Sequence, residues 1–316
     1  MEAVTRLYVV THRDPSVAGR AVDVLVRVAR EVGIALVCSD VEAEKHVALQ
    51  AFVEHGTSMG ERADTCDAAI VLAGDGTLLR TIAKIGADTP VLGVNFGMLG
   101  FLSGAAHDQL EAAVRALATG AARTVDLPGL EVDLAGRGSA TAVNDVVAMG
   151  GTTGRVNEVG WRIISRAGEP DEQVDEMGTV ACDGVVMATP AGSTAYNLSN
   201  GGPILAWGVQ GTVVSFVAPH TLAARPLVVA PGDAVEVEHT GRSGPLKVLA
   251  DGASVGRLQP GEKMRVRAGQ RRGRLAFVDG PTFYARYRDN FAVQMTFHGP
   301  RVRQSERAAR IAEVRE

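Results

Sequence analysis

The run Ile70-Val71-Leu72-Ala73-Gly74-Asp75-Gly76-Thr77-Leu78-Leu79-Arg80 decides the fold of this chain, because it combines three local signals. The apolar residues before Gly74 predict a buried strand, and Thr77 opens a helical pattern whose apolar residues share one face. A tight turn between a strand and a helix directs backbone N–H groups and the positive end of the helix at one spot. The two glycines of the turn would let a phosphate approach the main chain closely. The sequence therefore predicts a phosphate-binding loop.

Asp75 lies in the middle of this loop, where its carboxylate would repel a phosphate. Its presence favours chemistry over passive binding, because a carboxylate in this place can hold a metal or accept a proton. The alternative is an ordinary Asp-Gly turn, which many proteins contain for reasons of backbone geometry alone. Residues 74–77 by themselves do not decide between these interpretations.

Strand and helix signals alternate through the first part of the chain. This alternation favours a parallel sheet, and open α/β sheets bind their ligands beyond the carboxyl ends of the strands. The loop at 74–77 would lie at such an end. The predicted strands are 7–10, 34–38, 68–73 and 90–94, and the predicted helices, besides the one that Thr77 opens, are 14–32, 41–53 and 107–117.

Helical periodicity disappears from about residue 123, and short β-prone segments separated by turn signals replace it. We therefore expect an N-terminal Rossmann-like α/β domain with a parallel sheet over residues 1–123 and a β-rich, sandwich-like domain over 124–300. Residues 301–316 are strongly charged and predict a solvated helix or a disordered tail. The segments expected as strands in the second domain are 130–134, 140–149, 156–164, 185–188, 212–217, 227–229, 235–237, 246–249 and 275–278.

Composition and charge argue against several classes of function. The chain has 316 residues, 46% hydrophobic content and a net charge of −4, so it lacks the one-sided basic surface that nucleic acid requires. Because no apolar run reaches the ~18 residues of a membrane span and the N-terminus lacks a signal-peptide layout, we expect a cytoplasmic protein. Cys38, Cys66 and Cys182 are widely separated, which favours reduced thiols over disulfides or a zinc site. The seven histidines show no paired helical spacing, so an intrinsic transition-metal site is not expected.

Two stretches in the β-rich part carry polar side chains that suggest chemistry. Asn144 and Asp145 lie within an apolar segment, where an unpartnered buried carboxylate would shift its pKa; an edge strand or a turn is the alternative. The stretch 183–203 is dense in glycine and small hydroxyl residues, with Tyr196 as its aromatic residue. It fits a pocket for a flat polar ligand better than a flexible linker, because an apolar run precedes it and it contains Pro190.

Five motifs in this chain together resemble the NAD kinases. Each motif is weak alone, but their order and spacing from about residue 70 to residue 252 are specific. The motifs are Gly74-Asp75-Gly76-Thr77, Asn95-Phe96-Gly97-Met98-Leu99-Gly100-Phe101-Leu102, Asn144-Asp145, Asp183-Gly184 with Thr189-Pro190-Ala191-Gly192-Ser193-Thr194-Ala195-Tyr196, and Pro219-His220-Thr221-Leu222-Ala223-Ala224-Arg225-Pro226-Leu227-Val228.

The resemblance implies transfer of the terminal phosphoryl group of ATP, or of inorganic polyphosphate, to the 2′-hydroxyl of the adenosine ribose of NAD. It implies a divalent metal ion, Mg²⁺ or Mn²⁺, that neutralises phosphate charge. It also implies a two-domain fold with the site between the domains, assembled as a homodimer or homotetramer.

The resemblance assigns roles to individual residues. Asp75 matches the catalytic aspartate, which takes the proton from the 2′-hydroxyl, and this agrees with a carboxylate acting as a general base. Gly74, Gly76 and Thr77 would cradle the donor phosphates. Arg80, one helical turn beyond, would add positive charge. The residues that the resemblance assigns to NAD are Asp75, Gly76, Asn144, Asp145, Arg155, Asp183, Thr194, Ala195, Tyr196, Asn197, Leu198, Ser199 and Ala218.

Four positions depart from the family pattern. Ala73 stands where a first glycine is common, which costs little because alanine can end the strand. Asp145 stands where glutamate is usual, so its contact is expected to be longer or water-mediated. Ala181 replaces a position that is often basic, and Ala253 replaces an amide side chain, so neither receives a role.

Two other functions remain open from the residues. Lipid kinases of the diacylglycerol or sphingosine type share the Gly-Asp-Gly-Thr loop and a β-rich second domain, although the polar stretch 189–202 argues against an acyl-chain pocket. A pyridine-nucleotide-binding regulator without turnover would use Asp75 only to order its loop.

Overall fold

The computed structural model describes residues 1–52, 65–96, 100–150, 156–241, 243–278 and 282–291. The described residues up to Val278 belong to one compact unit, and the helix Phe283–Phe291 belongs to a second. Within the described part of the chain, no helix is long and apolar enough to cross a membrane.

The helices and strands are numbered in chain order. The α-helices are α1 (Pro15–Val32), α2 (Asp40–Lys45), α3 (Asp75–Lys84), α4 (Leu110–Ala118), α5 (Tyr196–Ser199) and α6 (Phe283–Phe291), and 3-10 turns cover Val47–Phe52, His107–Gln109 and Gly192–Thr194. The strands are β1 (Arg6–Thr11), β2 (Ala35–Val37), β3 (Ala68–Leu72), β4 (Pro90–Asn95), β5 (Ala105–Ala106), β6 (Arg123–Asp133), β7 (Ser139–Ala142), β8 (Asp145–Gly150), β9 (Asn157–Ser165), β10 (Gln173–Cys182), β11 (Gly184–Ala188), β12 (Thr212–Val217), β13 (Leu227–Val229), β14 (Ala234–His239), β15 (Leu246–Ala250), β16 (Ala253–Leu258) and β17 (Lys263–Phe277).

A parallel sheet forms the first part of the fold, as the alternation of strands and helices predicts. Strand β3 is buried along its whole length and lies between β1 and β4, with all three strands parallel. Leu25 of α1 and Leu117 of α4 pack with Ile70 on one face of the sheet. Leu78 of α3 packs with Val71 on the other face. Because neighbouring residues of β3 point to opposite faces, helices on both sides explain why the strand is apolar throughout.

The long strand β17 extends this sheet. It runs parallel to β4 at Arg274 and Leu275 and pairs antiparallel with β6 and β14. The sheet then continues from β14 through β9 to β10, so its described residues form 11 strands of mixed direction. The first sheet thus crosses the boundary expected after residue 123, and that boundary stays a prediction.

A second, antiparallel sheet has the strand order β13-β12-β11-β8-β15-β16. Its apolar face packs against the antiparallel part of the first sheet, where Trp161 meets Phe216 edge to face with ring centroids 5.4 Å apart. Leu130 and Val237 contribute to this core from the first sheet, and Val185 contributes from the second. The expected combination of an α/β part and a β-rich, sandwich-like part is confirmed.

Several element predictions were wrong for identifiable reasons. The expected strand 140–149 is two strands, because the chain leaves the first sheet after β7 and enters the second at β8. The expected helix 41–53 breaks at His46 into α2 and a 3-10 turn. Strand β10 was missed because most of its residues are exposed and show no alternation. Strand β16 was missed because only its last residue, Leu258, is buried. Most of β17 was missed because arginines interrupt its apolar pattern.

Three predicted features lie outside the described residues: residues 97–99 of the second motif, Arg155 and the charged tail at 301–316.

Candidate active site

The loop at 74–77 has the predicted strand-turn-helix geometry. Gly74 has extended backbone angles and precedes α3, and its carbonyl accepts the N–H groups of Thr77 and Leu78 at 3.0 and 3.2 Å. The helix therefore begins at Asp75, two residues earlier than predicted. A carboxylate on the first helical residue is stabilised by the positive helix end. The sequence thus places the Asp75 carboxylate at the N-terminal end of α3, where the field of the helix favours a negative charge.

Few atoms of the described residues lie near the glycines of this loop. A Cβ added to Gly74 would meet no described atom within 4 Å, and one added to Gly76 would meet only Arg80 Nη1, at 3.9 Å. The Arg80 guanidinium donates to Thr77 Oγ1 at 3.0 Å, which holds this cation over the first turn of α3. An anion could therefore reach the backbone of the loop beside a fixed positive charge.

The Asp75 carboxylate is held by a second loop, between β4 and β5. Ser103 Oγ donates to Asp75 Oδ1 at 2.7 Å, and the Leu102 N–H donates to Oδ2 at 3.3 Å. Gly100 packs directly on the carboxylate, since a Cβ at Gly100 would lie 2.1 Å from Oδ2. The second sequence motif thus contacts the acid of the first.

Asn144 and Asp145 lie at the corner where the chain passes from one sheet to the other. The carboxylate of Asp251 accepts the backbone N–H groups of Val143, Asn144 and Asp145, at 2.7, 2.7 and 3.2 Å. In return, the Asp251 N–H donates to the Asp145 carbonyl at 3.0 Å. Asp251 itself has a φ of +47°, a conformation that few residues other than glycine adopt. At this corner the Asp251 carboxylate therefore acts as the hydrogen-bond acceptor that a neighbouring strand provides elsewhere in a sheet.

The side chains of Asn144 and Asp145 are both buried at this corner. Asn144 Oδ1 has no hydrogen-bond partner among the described residues. Burial, together with the negative charge of Asp251, raises the pKa of Asp145 to about 6. A buried amide oxygen without a partner and a carboxyl group that is costly to ionise both favour a polar ligand at this corner.

The turn after β11 packs against the same corner. The Thr189 N–H donates to the Asn144 carbonyl at 2.8 Å, and Thr189 Oγ1 donates to the Val143 carbonyl at 2.7 Å. A Cβ at Gly192 would lie 2.0 Å from the Asn144 carbonyl oxygen, so only glycine allows this contact. The segment that follows is therefore fixed relative to Asn144.

Residues 194–199 form the end of a 3-10 turn and helix α5. Asn197 differs from its neighbours because it is fully buried, and its amide nitrogen donates to the carbonyls of Ser193 and Pro203 at 3.0 and 3.1 Å. Its side chain thus holds the segment together, and a direct contact with NAD stays a prediction. The residues of the segment that are at least partly exposed are Thr194, Ala195, Tyr196, Leu198 and Ser199.

Asp183 and Ala218 are neighbours at the opposite end of β11. The exposed Asp183 precedes β11, and its N–H donates to the Val217 carbonyl at 2.9 Å, next to Ala218. Ala218 has a φ of +44°, a strained conformation for a residue with a side chain. Burial and the negative charges of Asp183 and Asp145 raise the pKa of the Tyr196 phenol. The Tyr196 phenol is therefore close enough to both aspartates for their charges to affect its pKa.

One apolar core joins the loop of Asp75 to the rest of the predicted site. Leu78 beside the loop, Leu102, Val143 and Ala191 all belong to this core. Among the described residues, no hydrogen bond links Asp75 to Asn144, Asp145 or Tyr196. The site is thus assembled from segments that share a support, and a bound ligand would have to bridge their polar groups.

A cavity of about 480 Å³ lies next to this site. Thr189 and Pro190 contribute to its lining, together with Asp126, Arg271 and the turn at 208–212. None of the described lining residues is a predicted site residue. The cavity is therefore a neighbour of the predicted site and not the site itself.

Two residues that the structure brings to the site, Ser103 and Asp251, were not predicted from the sequence. Ser103 directly follows the second motif, and its hydroxyl could have been recognised there as a possible hydrogen-bond donor. Asp251 reads as part of an Asp-Gly turn, and only its three hydrogen bonds to a remote segment reveal its role.

Comparison with known proteins identifies the family. Residues 22–122 match the ATP-NAD kinase N-terminal domain, and residues 171–278 match the ATP-NAD kinase C-terminal domain. An NAD kinase of Gemmatimonas aurantiaca is 37% identical over 230 residues, which cover 70% of this chain and 76% of that protein.

Two solved structures share the fold. A yeast NADH kinase complexed with NADH superposes with a TM-score of 0.78 at 20% identity, covering 95% of this chain and 91% of that chain. An NAD kinase from Archaeoglobus fulgidus in complex with ATP gives a TM-score of 0.65 at 21% identity, covering 91% of this chain and 97% of that chain. With the two matching domains and the identity to a curated relative, these comparisons lead to one conclusion: the chain belongs to the NAD kinase family.

Proposed function

We propose that this protein phosphorylates the 2′-hydroxyl of the adenosine ribose of NAD to give NADP, with ATP as the phosphoryl donor. The observation that carries the proposal is the carboxylate of Asp75 on the first residue of a helix, between two glycines on which an added Cβ would meet no described atom closer than 3.9 Å. The family supports the reaction, and related proteins have been solved with NADH and with ATP. Polyphosphate is an alternative donor with the same phosphate chemistry.

The chemistry assigned to Asp75 is that of a general base. The 2′-hydroxyl gives its proton to the Asp75 carboxylate while its oxygen forms a bond to the terminal phosphorus of ATP. The bond from that phosphorus to the bridging oxygen breaks, and ADP leaves. The open backbone at Gly74 and Gly76 and the guanidinium of Arg80 would hold the donor phosphates.

NAD, the phosphoryl acceptor, would bind to the other segments of the predicted site. Asn144, whose buried oxygen has no partner among the described residues, and Asp145 would accept or donate hydrogen bonds at the ribose and adenine. Tyr196 would cover the adenosine, and Asp183 with the backbone at Ala218 would bind the distal part of NAD.

The described residues do not form a metal cage of their own. They contain no group of three or more His, Cys, Asp or Glu side chains that could hold an ion. Mg²⁺ commonly binds through one or two carboxylates plus substrate phosphates. A divalent metal would therefore arrive with the donor.

An assay of the purified protein tests the activity. ATP, polyphosphate and a no-donor control are each combined with NAD, NADH or a diacylglycerol, and NADP, NADPH and lipid phosphate are measured. We expect NADP from NAD and ATP. Lipid phosphate in place of NADP would overturn the proposal in favour of a lipid kinase.

Two aspartate variants separate catalysis from binding. We expect Asp75→Ala to lose NADP formation by about 100-fold or more while calorimetry shows that NAD still binds. Asp14→Ala is the matched control, because Asp14 caps α1 through a hydrogen bond to the Ser16 N–H and lies outside the predicted site residues. NAD binding by a wild type that shows no turnover with any donor would instead support a regulator.

We further propose a homodimer or homotetramer that acts in the cytoplasm. Val174 and Met177 are exposed on β10, which is the outer strand of the first sheet, so a second copy could cover an apolar edge. The three cysteines are buried and free, which suits a reducing compartment. Light scattering on the purified protein would give the number of subunits.

A further inference from the structure

The loop between β4 and β5 makes a specific contact with the proposed base. Ser103 is fully buried, and its hydroxyl lies 2.7 Å from Asp75 Oδ1. A bond of this length from a hydroxyl to a carboxylate is a charge-assisted hydrogen bond, which is stronger than a bond between neutral groups. The Leu102 N–H reaches the other oxygen, at 3.3 Å, so the loop contacts both ends of the carboxylate.

Within this loop, the backbone of Ser103 and Gly104 is fixed by close packing. The Gly104 N–H donates to the Gly93 carbonyl at 2.8 Å, which ties the loop to β4. A Cβ at Gly104 would lie 2.2 Å from the Ala276 carbonyl oxygen, and a Cβ at Gly93 would lie 3.3 Å from the Ser103 Cα. Ser103 therefore has little freedom to move away from Asp75.

A carboxylate bound in this way can still act as a base. Each carboxylate has about four lone-pair sites, and the two contacts from the loop occupy only part of this capacity. The orientation of the group is then set before the alcohol arrives, and a base must lie within hydrogen-bond reach of the proton it takes.

We propose that Ser103 is a positioning residue that fixes the rotamer of Asp75 for proton transfer, with Gly100 packed behind the carboxylate. This inference rests on the proposed function, since it assumes that Asp75 is the base. The role of Gly100 follows from its distance to the carboxylate, because any larger residue would push Asp75 out of its place. A purely structural alternative is that the bond only anchors the loop.

The test compares Ser103→Ala, Ser103→Thr and Ser215→Ala with the wild type. Ser215 is the matched control, because it is also fully buried but its hydroxyl has no partner among the described residues. The measurements are kcat and the KM values for NAD and ATP, NAD affinity by calorimetry, and the melting temperature.

We expect Ser103→Ala to lower kcat by about 10- to 100-fold, the effect of one charge-assisted hydrogen bond, with both KM values within about threefold of wild type. Ser103→Thr restores the hydroxyl and should recover most of kcat. Ser215→Ala should match the wild type in kcat. NAD affinity should be the same in all four proteins, because Ser103 acts on the base and not on the ligand.

Three results would overturn the inference: an unchanged kcat in Ser103→Ala, a change confined to KM, or a folded Ser103→Thr that loses as much activity as the alanine variant. If Ser103→Ala does not fold, Gly100→Ala is tested in its place, because the new Cβ at position 100 would displace the Asp75 carboxylate. In that variant kcat should fall while NAD still binds. A full kcat in folded Gly100→Ala would also contradict the inference. Turnover by the wild type tests the proposed function separately. If the wild type is active and the variants have the same kcat, the proposed function stands and only the role of Ser103 is contradicted.

Discussion

The carboxylate of Asp251 accepts a 2.7 Å hydrogen bond from the backbone N–H of Asn144, a residue 107 positions earlier in the chain. The same carboxylate also accepts the N–H groups of Val143 and Asp145. At this corner the chain leaves one sheet for the other, and these three N–H groups donate to a side chain. Asp251 therefore both stabilises the corner and orients the predicted ribose contacts.

We predict that Asp251→Asn lowers the free energy of unfolding by about 2 to 3 kcal/mol, because an amide offers one acceptor oxygen and leaves N–H groups of the corner unpaired. The same change should raise the KM for NAD and leave the KM for ATP near the wild-type value. Urea denaturation and steady-state kinetics measure the two effects.

Asp67→Asn is the matched control for this prediction. The Asp67 carboxylate accepts the backbone N–H groups of Thr5 and Arg6, at 2.7 and 2.8 Å, but it precedes β3 at the end opposite to the Asp75 loop. We expect some loss of stability without a change in KM for NAD. An Asp251→Asn protein that is destabilised but keeps its KM for NAD would limit Asp251 to a structural role.

A second prediction concerns the contact between Gly192 and Asn144. We expect Gly192→Ala to destabilise the protein by about 1 to 3 kcal/mol and to weaken NAD binding, because the new methyl group would overlap the Asn144 carbonyl. Gly19→Ala is the control, since a Cβ there meets no atom within 4 Å and Gly19 lies within helix α1. That change should stabilise the protein by about 0.5 to 1 kcal/mol. A Gly192→Ala protein with wild-type melting temperature and NAD affinity would contradict the proposed packing.

The parts of the fold that could be predicted from sequence are those whose local pattern matches their environment. Strand β3 is buried on both faces and is apolar throughout, and β12 was predicted with its observed bounds. Most of the 15-residue β17 could not be predicted, because its arginines pair with acidic residues on other strands, such as Glu131 and Glu236. Those partners are visible only once the sheet is formed.

The same limit applies to the candidate site. Asp75 and the Asn144-Asp145 pair were singled out because a carboxylate in an apolar or phosphate-binding context needs an explanation. Ser103 and Asp251 were not predicted, because their partners are 28 and 107 residues away and both residue types are common in turns. The sequence thus identifies polar groups that need a partner, and the structure identifies the residues that are those partners.

The last prediction concerns pH. Burial and the charge of Asp251 raise the pKa of Asp145 to about 6 in the folded protein, above its usual value of 3.8. When the pKa of a group is higher in the folded protein than in the unfolded chain, the group adds most to the free energy of unfolding below its unfolded pKa. That contribution is lost as the pH rises through the folded pKa. The ionised side chain therefore destabilises the protein above about pH 6, and this penalty fades between about pH 6 and pH 4.

We therefore expect Asp145→Asn to be more stable than the wild type at pH 8, by about 2 to 3 kcal/mol, because the amide is neutral at every pH. The difference should vanish near pH 4, as followed by urea denaturation without NAD. Asp67→Asn provides a control of opposite sign: partial burial raises the pKa of Asp67, but hydrogen bonds from Thr5 and Arg6 outweigh it, so the folded pKa is lowered. That variant should be less stable than the wild type at pH 8 and approach it in acid. If the gain from Asp145→Asn were the same at pH 8 and pH 4, the corner carboxyl would not be titrating in this range, and its burial beside Asp251 would need another explanation.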